Sequence, residues 1–472
     1  MKTALSFLFI LFVAPIFAQN PQLESIIKRE MQERRIPGLQ IAVVQRGQIV
    51  LSKSYGIANL QYAIPVTSKS IFQINSCTKA FTGVAIMQLV EEGKIDLEAP
   101  VSRYLDSLPQ AWQPVKVRQL LTHVSGLPDI LRVLETSPPN LSEEAAWAKT
   151  TIAPMSFTTG TQFSYNQTNY ALLGKIIDKY RQKPFAEVFK ELQFQAAGMP
   201  NTGFGDYRDV IPNMTQSYKY VSSLNGQKLK EEKIINFNAE FPPFRRTASG
   251  MNSTAEDIAK WIIALQKGNL LKTKTAIKTL WTAGTYNNGK PTQWALGWMT
   301  KPRAKHSAVV ATGGGRSAFF VYPEDDLTIV VLTNLSGASP EDFIDELAGC
   351  FNPEIPASDP LTALHIQLRK QGFDQAIAIV KEQKAKGGIP PSEPDLNDWA
   401  YRLLSKGRLT EALPLFHLNV YLYPDSWNVY DSYGEALMKN GQKEEAIRMY
   451  KKSLELNSQN EYGKKALEAL MK

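Results

Sequence analysis

The segment Phe72-Gln-Ile-Asn-Ser-Cys-Thr-Lys-Ala-Phe81 places a serine, Ser76, three residues before a lysine, Lys79. If a helix begins there, hydroxyl and amine share one face of its first turn, where the amine can influence the hydroxyl proton. The spacing alone is weak, because it recurs at Ser25-Ile-Ile-Lys28 in an amphipathic, solvated segment. Around Ser76, however, the sequence is apolar, and the nearly uncharged stretch 80–89 predicts that Lys79 is buried. Burial lowers the pKa of a lysine, which is one way to activate a nucleophile.

Residues 1–18 differ from the rest of the 472-residue chain, since they carry one charge, Lys2, before an apolar run that ends at Ala18. A bilayer span needs about 20 apolar residues, so this segment predicts a cleavable secretory signal and a periplasmic or secreted protein without a membrane span after signal removal. The residues near the expected cleavage point include no cysteine, so the sequence does not indicate a lipid anchor. With 43% hydrophobic and 21% charged residues, the remainder has the composition of a globular protein.

The net charge is 53 minus 45, or +8, and falls to +7 without Lys2. The basic residues are dispersed, which argues against nucleic-acid binding. Two cysteines, Cys77 and Cys350, are too few for a disulfide framework, although pairing and simple packing both remain open. The four histidines lack metal-ligand spacing, so neither a metal nor a cofactor is expected.

Strand patterns occur at both ends of the first 350 residues, and helical patterns lie between them, at about 76–265. The early strands form a hairpin within residues 39–59. The later predicted strands are residues 294–299, 308–311, 317–322 and 327–333. Short turns between neighbouring strands favour antiparallel pairing, so we expect an α/β (α+β) fold in which helices flank an antiparallel sheet.

A 34-residue period appears near the C-terminus, where small and aromatic residues recur. The matched pairs are Gly407 and Gly441, Ala412 and Ala446, Phe416 and Tyr450, and Ala400 and Gly434. Residues 397–460 therefore resemble tetratricopeptide repeats, with a degenerate unit in 361–386; a coincidental pair of helical hairpins is the alternative. The predicted divisions are a signal peptide at 1–18, a catalytic domain at 19–355 and an all-α repeat domain at 356–472.

The segment around Ser76 resembles the nucleophile segment of the serine β-lactamase and penicillin-binding superfamily, in its class C β-lactamase, esterase and D-aminopeptidase branch. Further matches in the same order are Glu92-Gly-Lys-Ile-Asp-Leu97, Leu120-Leu-Thr-His-Val-Ser-Gly-Leu-Pro-Asp129, Phe163-Ser-Tyr-Asn-Gln-Thr-Asn-Tyr-Ala-Leu-Leu-Gly174 and Tyr322-Pro-Glu324. The resemblance implies a β-lactamase/transpeptidase-like fold with an all-α subdomain. It also implies an acyl-enzyme on Ser76, with Lys79 and a tyrosine sharing the role of base.

The second motif of that family reads Tyr-x-Asn, and the matching segment here is Tyr165-Asn166-Gln167. A literal Tyr-x-Asn at Tyr286-Asn287-Asn288 precedes a glycine in a predicted turn and lacks the helix that follows Tyr165. We therefore assign Tyr165 as the catalytic tyrosine. Gln167 can offer its amide to Lys79 or to a substrate carbonyl, over a longer reach than asparagine.

The third motif corresponds to Ala311-Thr312-Gly313-Gly314. By resemblance, the backbone amides of Ser76 and Gly314 form the oxyanion hole, and Thr312 and Gly313 line the substrate site. A phosphate loop is excluded because a strand, not a helix, follows the glycines. Ala311 lacks the polar group that meets a substrate carboxylate, and Arg316 is the hypothesised substitute, with a surface arginine as the alternative.

The predicted function is that of an exported serine hydrolase acting on an ester or amide, as an esterase, a D-aminopeptidase or a β-lactamase-like enzyme. Loss of the polar third-motif residue favours esters or small amides over β-lactams or carboxylate-bearing peptides. His123 is expected to be structural, since no Gly-x-Ser-x-Gly segment accompanies it. The alternative is a catalytically weak or inactive member that binds cell-wall fragments, or a protein partner through its repeats.

Overall fold

The computed structural model describes residues 20–135, 141–224 and 226–471, so the predicted signal at 1–18 lies outside the described residues. The chain divides into two compact units, of which the larger comprises residues up to 302 together with 307–344 and the smaller comprises 303–306 together with 345–472. The smaller unit thus includes residues 345–355, which the sequence assigned to the catalytic domain. Arg303 ties this stretch to the smaller unit, because its guanidinium lies 2.6 Å from the Asp345 carboxylate.

A seven-stranded antiparallel sheet runs through the larger unit in the order β3-β2-β1-β12-β11-β10-β9. Two smaller sheets have the orders β4-β8-β5 and β6-β7. The strands are β1 (Gly38–Gln45), β2 (Gln48–Asn59), β3 (Ile64–Pro65), β4 (Phe72–Gln73), β5 (Gly203–Phe204), β6 (Tyr218–Leu224), β7 (Gln227–Asn236), β8 (Met251–Ser253), β9 (Met299–Lys301), β10 (Ala308–Gly313), β11 (Ser317–Tyr322) and β12 (Leu327–Thr333).

The early hairpin and the late strands therefore share one sheet, as predicted. β1 and β12 are adjacent, with Leu39 opposite Thr333 in the register. Every residue of β11 and β12 is buried, which explains their nearly continuous apolar sequence. One predicted strand is wrong: residues 294–298 form a turn at Gly297, whose φ is +92°, and only Met299–Lys301 is a strand.

Helices pack against this sheet and fill the middle of the sequence. In the larger unit they are α1 (Pro21–Glu33), α2 (Thr78–Glu91), α3 (Val117–Leu121), α4 (Ile130–Glu135), α5 (Glu143–Ile152), α6 (Gln167–Arg181), α7 (Phe185–Phe189), α8 (Ala255–Gln266) and α9 (Lys274–Trp281), and α10 (Ile344–Ala348) begins at its last residue. α2 is buried on nearly all faces, because it packs against α6, α9 and β10. This burial keeps the first turn of α2, which carries Lys79, away from water.

The smaller unit is helical, and most of its consecutive helices pack on one another, while α13 packs on α15. They are α11 (Glu354–Ser358), α12 (Pro360–Gln371), α13 (Ala376–Ala385), α14 (Glu393–Ser405), α15 (Leu409–Leu422), α16 (Trp427–Lys439), α17 (Lys443–Leu456) and α18 (Glu461–Met471). Gly434 lets the ring of Tyr450 approach, since a Cβ there would lie 3.3 Å from the ring. The assignment to tetratricopeptide repeats stays a prediction.

Across the described ranges, no helix has both the length and the apolar character that crossing a membrane requires. Cys77 and Cys350 are free thiols, so the open alternative of pairing does not apply.

Candidate active site

Ser76 lies in a short 3-10 turn, Asn75–Cys77, immediately before α2. Asn75 has a left-handed backbone, with φ of +47°, and Thr78 Oγ1 donates a hydrogen bond of 2.6 Å to its carbonyl. Asparagine tolerates this conformation better than most residues do. Within residues 71–80, Ser76 is partly exposed while its neighbours are buried. The turn therefore presents one hydroxyl to solvent at the start of an apolar helix.

Lys79 follows Ser76 by one helical turn and is fully buried. Its Nζ donates to Gln167 Oε1 at 2.9 Å and to the Ala248 carbonyl at 2.8 Å. Burial holds the pKa of Lys79 well below its ordinary value, and the charge of Arg245 acts in the same direction. A neutral amine has two N–H groups and one lone pair, so these two acceptors leave the lone pair free to take a proton.

Tyr165 lies just before α6, and the centre of its ring is 4.6 Å from Lys79 Nζ. Burial raises the pKa of Tyr165 above its ordinary value, and hydrogen bonds with the Ser76 and Gln167 side chains only partly oppose this effect. The phenol therefore stays protonated at neutral pH. Ser76, Lys79, Tyr165 and Gln167, which the sequence singled out separately, lie together in one cluster.

His123 packs beneath Tyr165, with 4.6 Å between the ring centres. Its Nδ1 accepts a hydrogen bond of 3.1 Å from the backbone N–H of Asn166. Burial and the nearby Lys79 lower the pKa of His123 well below its ordinary value, so the ring is neutral. Because this bond goes to the N-terminus of α6, His123 supports the segment that carries Tyr165.

The third motif ends β10 beside the nucleophile. A Cβ on Gly313 would lie 2.0 Å from the Ile74 carbonyl oxygen and 3.1 Å from the Ser76 backbone nitrogen. The next residue, Gly314, has a φ of +58°, which favours glycine. This close approach of two backbones is what an oxyanion hole of Ser76 and Gly314 amides requires, and that pairing stays a prediction. Thr312 is partly exposed at the same strand end.

Arg316 is 3% exposed, so the alternative of a surface arginine is wrong. Its guanidinium donates to Gln73 Oε1 at 2.9 Å, to Ser217 Oγ at 2.8 Å and to Asn75 Oδ1 at 3.1 Å. Burial lowers the pKa of Arg316 to about 10. The side chain therefore supports Asn75, the residue before the nucleophile.

The sequence motifs gave no role to three further parts of the site. Ser249 Oγ lies 3.4 Å from Ser76 Oγ, and the preceding residue, Ala248, offers its carbonyl to Lys79. The Asp129 carboxylate accepts the backbone N–H of Gln167 at 3.2 Å and so orients that residue. Gly250, with φ of +109°, ends the turn that carries Ala248 and Ser249. This glycine is the one sequence feature that could have indicated the turn.

Replacing Gly313 with alanine should lower both stability and turnover. The new methyl group meets backbone atoms, which move less readily than a side-chain end, so β10 must shift away from Ser76. We expect a loss of about 1–3 kcal/mol in the free energy of unfolding and at least a roughly tenfold fall in kcat/KM. Denaturant unfolding and ester hydrolysis measure the two effects. Gly203→Ala is the matched control, since no heavy atom lies within 4 Å of its added Cβ; equal effects in the two variants would contradict the prediction.

The activity should rise with pH through the lowered pKa of Lys79. Below that pKa the amine is protonated and has no lone pair, and above it the amine is neutral and accepts the serine proton. The rising limb of kcat/KM for a neutral ester should therefore have a midpoint below 10.5, the ordinary pKa of lysine. A pH–rate profile, read together with fold stability over the same range, tests this. A flat profile, or a midpoint at or above the ordinary value, contradicts it.

Comparison with known proteins gives consistent matches. A family model described as Beta-lactamase matches residues 23–349. "Protein flp" of Staphylococcus aureus (strain NCTC 8325 / PS 47) is 25% identical over 342 residues, which are 71% of this chain. The match covers 66% of the length of that relative. "Teichoic acid D-alanine hydrolase" of Staphylococcus aureus is 26% identical over 63% of this chain and 70% of its own.

Solved structures also match the larger part of the chain. The octameric penicillin-binding protein homologue from Pyrococcus abyssi has a TM-score of 0.62 at 26% identity and covers 75% of this chain and 82% of its own. The D-amino acid amidase from Ochrobactrum anthropi SV3, complexed with L-phenylalanine, has a TM-score of 0.57 at 23% identity, covering 72% of this chain and 99% of its own. At that identity, the second match speaks for the fold alone.

Proposed function

Because this chain belongs to the beta-lactamase family, we propose that it is a serine hydrolase that cleaves an ester or amide through an acyl-enzyme on Ser76. The observation that carries the proposal is the pairing of a partly exposed Ser76 with a buried Lys79, both of whose N–H groups are engaged. Such an amine is neutral and keeps its lone pair for a proton.

In the proposed reaction, Ser76 Oγ attacks the substrate carbonyl carbon and forms a C–O bond. The hydroxyl proton passes through Tyr165 to the Lys79 amine, while the backbone N–H groups of Ser76 and Gly314 stabilise the oxyanion. The C–O or C–N bond to the leaving group then breaks, and the leaving alcohol or amine takes the proton back. Water enters and hydrolyses the acyl ester on Ser76.

The substitution of Gln167 for asparagine raised the alternative of an inactive protein. The longer side chain nevertheless reaches Lys79 at 2.9 Å, so the contact exists with glutamine. One of the similar proteins, "Teichoic acid D-alanine hydrolase", carries D-alanine in its name. This name favours D-alanyl esters among the substrates to test, beside simple esters, small amides and a β-lactam.

A fluorophosphonate probe tests the proposal directly, because it reacts with activated serines. We expect one adduct, located on Ser76 by peptide mass spectrometry. Ser76→Ala should abolish labelling, whereas Ser25→Ala should not, since Ser25 has the same spacing to a lysine but is exposed on α1. An unlabelled wild-type protein, or an adduct that persists in Ser76→Ala, would overturn the proposal.

We also propose that the predicted signal directs this chemistry to the periplasm or the exterior, and that the helices of residues 356–472 bind a protein partner. The apolar run in 1–18 supports the first proposal, and the 34-residue period supports the second. Cell fractionation with and without residues 2–18 tests the first. Recovery of a crosslinked partner by the full chain, lost after deletion of 360–472, tests the second.

A further inference from the structure

Arg245 ends a 3-10 turn, Pro243–Arg245, that leads directly into the active site. Its carbonyl accepts hydrogen bonds of 3.0 Å from the backbone N–H groups of both Ala248 and Ser249. These residues supply the acceptor for Lys79 and the hydroxyl beside Ser76. Arg245 therefore belongs to the same rigid turn that contacts both reactive side chains.

Among the described residues, the guanidinium of Arg245 has no hydrogen-bond or ion-pair partner. In the described parts of the chain, no acceptor lies within hydrogen-bond distance of it and no carboxylate within 4 Å. The next residue is different: Arg246 donates to the Phe241 carbonyl at 2.9 Å and to Asp209 at 3.2 Å. Arg245 is nevertheless partly buried, and burial lowers its pKa. A partly desolvated cation without an anion is unfavourable, so a folded protein that keeps one has a use for it.

The position of this charge is also informative. Two backbone hydrogen bonds hold Arg245 in the turn that contacts Lys79 and Ser76. Its positive charge acts to lower the pKa of Lys79. Asp129, the carboxylate that acts on Arg245, already accepts backbone N–H groups from Gln167 and Leu131. Both of these bonds end on Oδ1 of Asp129, and no carboxylate of the described residues lies within 4 Å of the guanidinium, so the arginine stays available to a ligand.

We infer that Arg245 binds an anionic group of the substrate, a carboxylate or a phosphate, next to the carbonyl that Ser76 attacks. This inference rests on the proposed function. Ala311 leaves the third motif without a polar side chain, and Arg245 supplies a cation from a different segment. The planar guanidinium offers parallel N–H donors that match two oxygens of such an anion. The preferred substrates thus carry an anionic group, whereas the loss at Ala311 indicated esters or small amides over carboxylate-bearing peptides.

Two esters of similar length test the inference: 4-nitrophenyl hemisuccinate, which carries a carboxylate, and 4-nitrophenyl butyrate, which does not. The readout is the ratio of their kcat/KM values, so a change common to both esters cancels. In Arg245→Gln this ratio should fall about 10- to 100-fold, and Arg245→Lys should restore part of it. Arg246→Gln is the matched control and should leave the ratio unchanged. An unchanged ratio in Arg245→Gln overturns the inference.

A binding measurement separates this inference from the proposed function, because it needs no turnover. Titration calorimetry of Ser76→Ala with monomethyl succinate and with glycerol 1-phosphate should give heat for at least one anion, and the stronger binder identifies carboxylate or phosphate. Adding Arg245→Gln should weaken that binding about tenfold or more. If the fluorophosphonate probe fails to label Ser76 but anion binding still depends on Arg245, only the hydrolase proposal is overturned. Absent binding, or binding unaffected by Arg245→Gln, would overturn the role of Arg245.

Discussion

Ser76→Ala should lower kcat/KM toward a 4-nitrophenyl ester by roughly a thousandfold or more, because removing the nucleophile leaves only binding and the oxyanion donors. The hydroxyl is partly exposed, and its contact with the buried Ser249 hydroxyl is a long 3.4 Å, so alanine removes little stabilising interaction. Folding should be unaffected. Steady-state hydrolysis and a thermal unfolding curve of the same sample measure the two quantities.

Ser25→Ala provides the comparison, since it changes the same residue type at the same distance from a lysine. Both Ser25 and Lys28 are exposed on α1, and the variant should keep the wild-type rate. Hydrolysis in Ser76→Ala at more than about a tenth of the wild-type rate would show that another group carries the reaction.

Lys79→Met should lower kcat about 100- to 10,000-fold, the range expected for loss of a general base. Methionine has a similar length and no charge, so it fills the same space without accepting a proton. Gln167 Oε1 and the Ala248 carbonyl lose their donor, which costs about 1–3 kcal/mol, while the burial of an amine is relieved. These two effects on stability oppose each other, so the melting temperature should change far less than the rate.

The result is read from single-turnover acylation, which isolates the step that needs the base. Lys28→Met is the control, because Lys28 is exposed on α1 and should affect neither step. If Lys79→Met acylates as fast as the wild type, the proton of Ser76 leaves by another route, and Tyr165 alone becomes the candidate base.

The sheet and the reactive residues were predictable because each has a local signature. The hairpin within 39–59 and the strands at 308–311, 317–322 and 327–333 show apolar runs broken by turn residues, and these survive in the structure as β1, β2, β10, β11 and β12. The apolar sequence of residues 294–298 also predicted a strand, and Trp294 and Leu296 are indeed buried in the structure. Their backbone turns instead at Gly297, where a Cβ would lie 2.3 Å from the Lys79 carbonyl oxygen. A close approach between distant segments leaves no periodic signal.

The site was partly predictable for a similar reason. Lys79 and Tyr165 act through their side chains, and motifs record side chains. The Ala248 carbonyl acts through its backbone, which any residue supplies, so the sequence carries no mark of it. The inward orientation of the Arg316 side chain could not be predicted either. Its hydrogen-bond partners, Gln73, Asn75 and Ser217, come from separate segments of the sequence. Arg245 was missed because an arginine between Phe244 and Arg246 looks like any other basic residue.

The pairing of β1 with β12 has a consequence for how the chain reaches its native state. Leu39 finds its partner only when Thr333 is available, so an interior strand of the main sheet stays incomplete until nearly all of the larger unit exists. Contacts so distant in sequence close slowly, because a long loop must be ordered before they form. A ribosome-bound chain that ends before Leu327 therefore lacks this strand pairing.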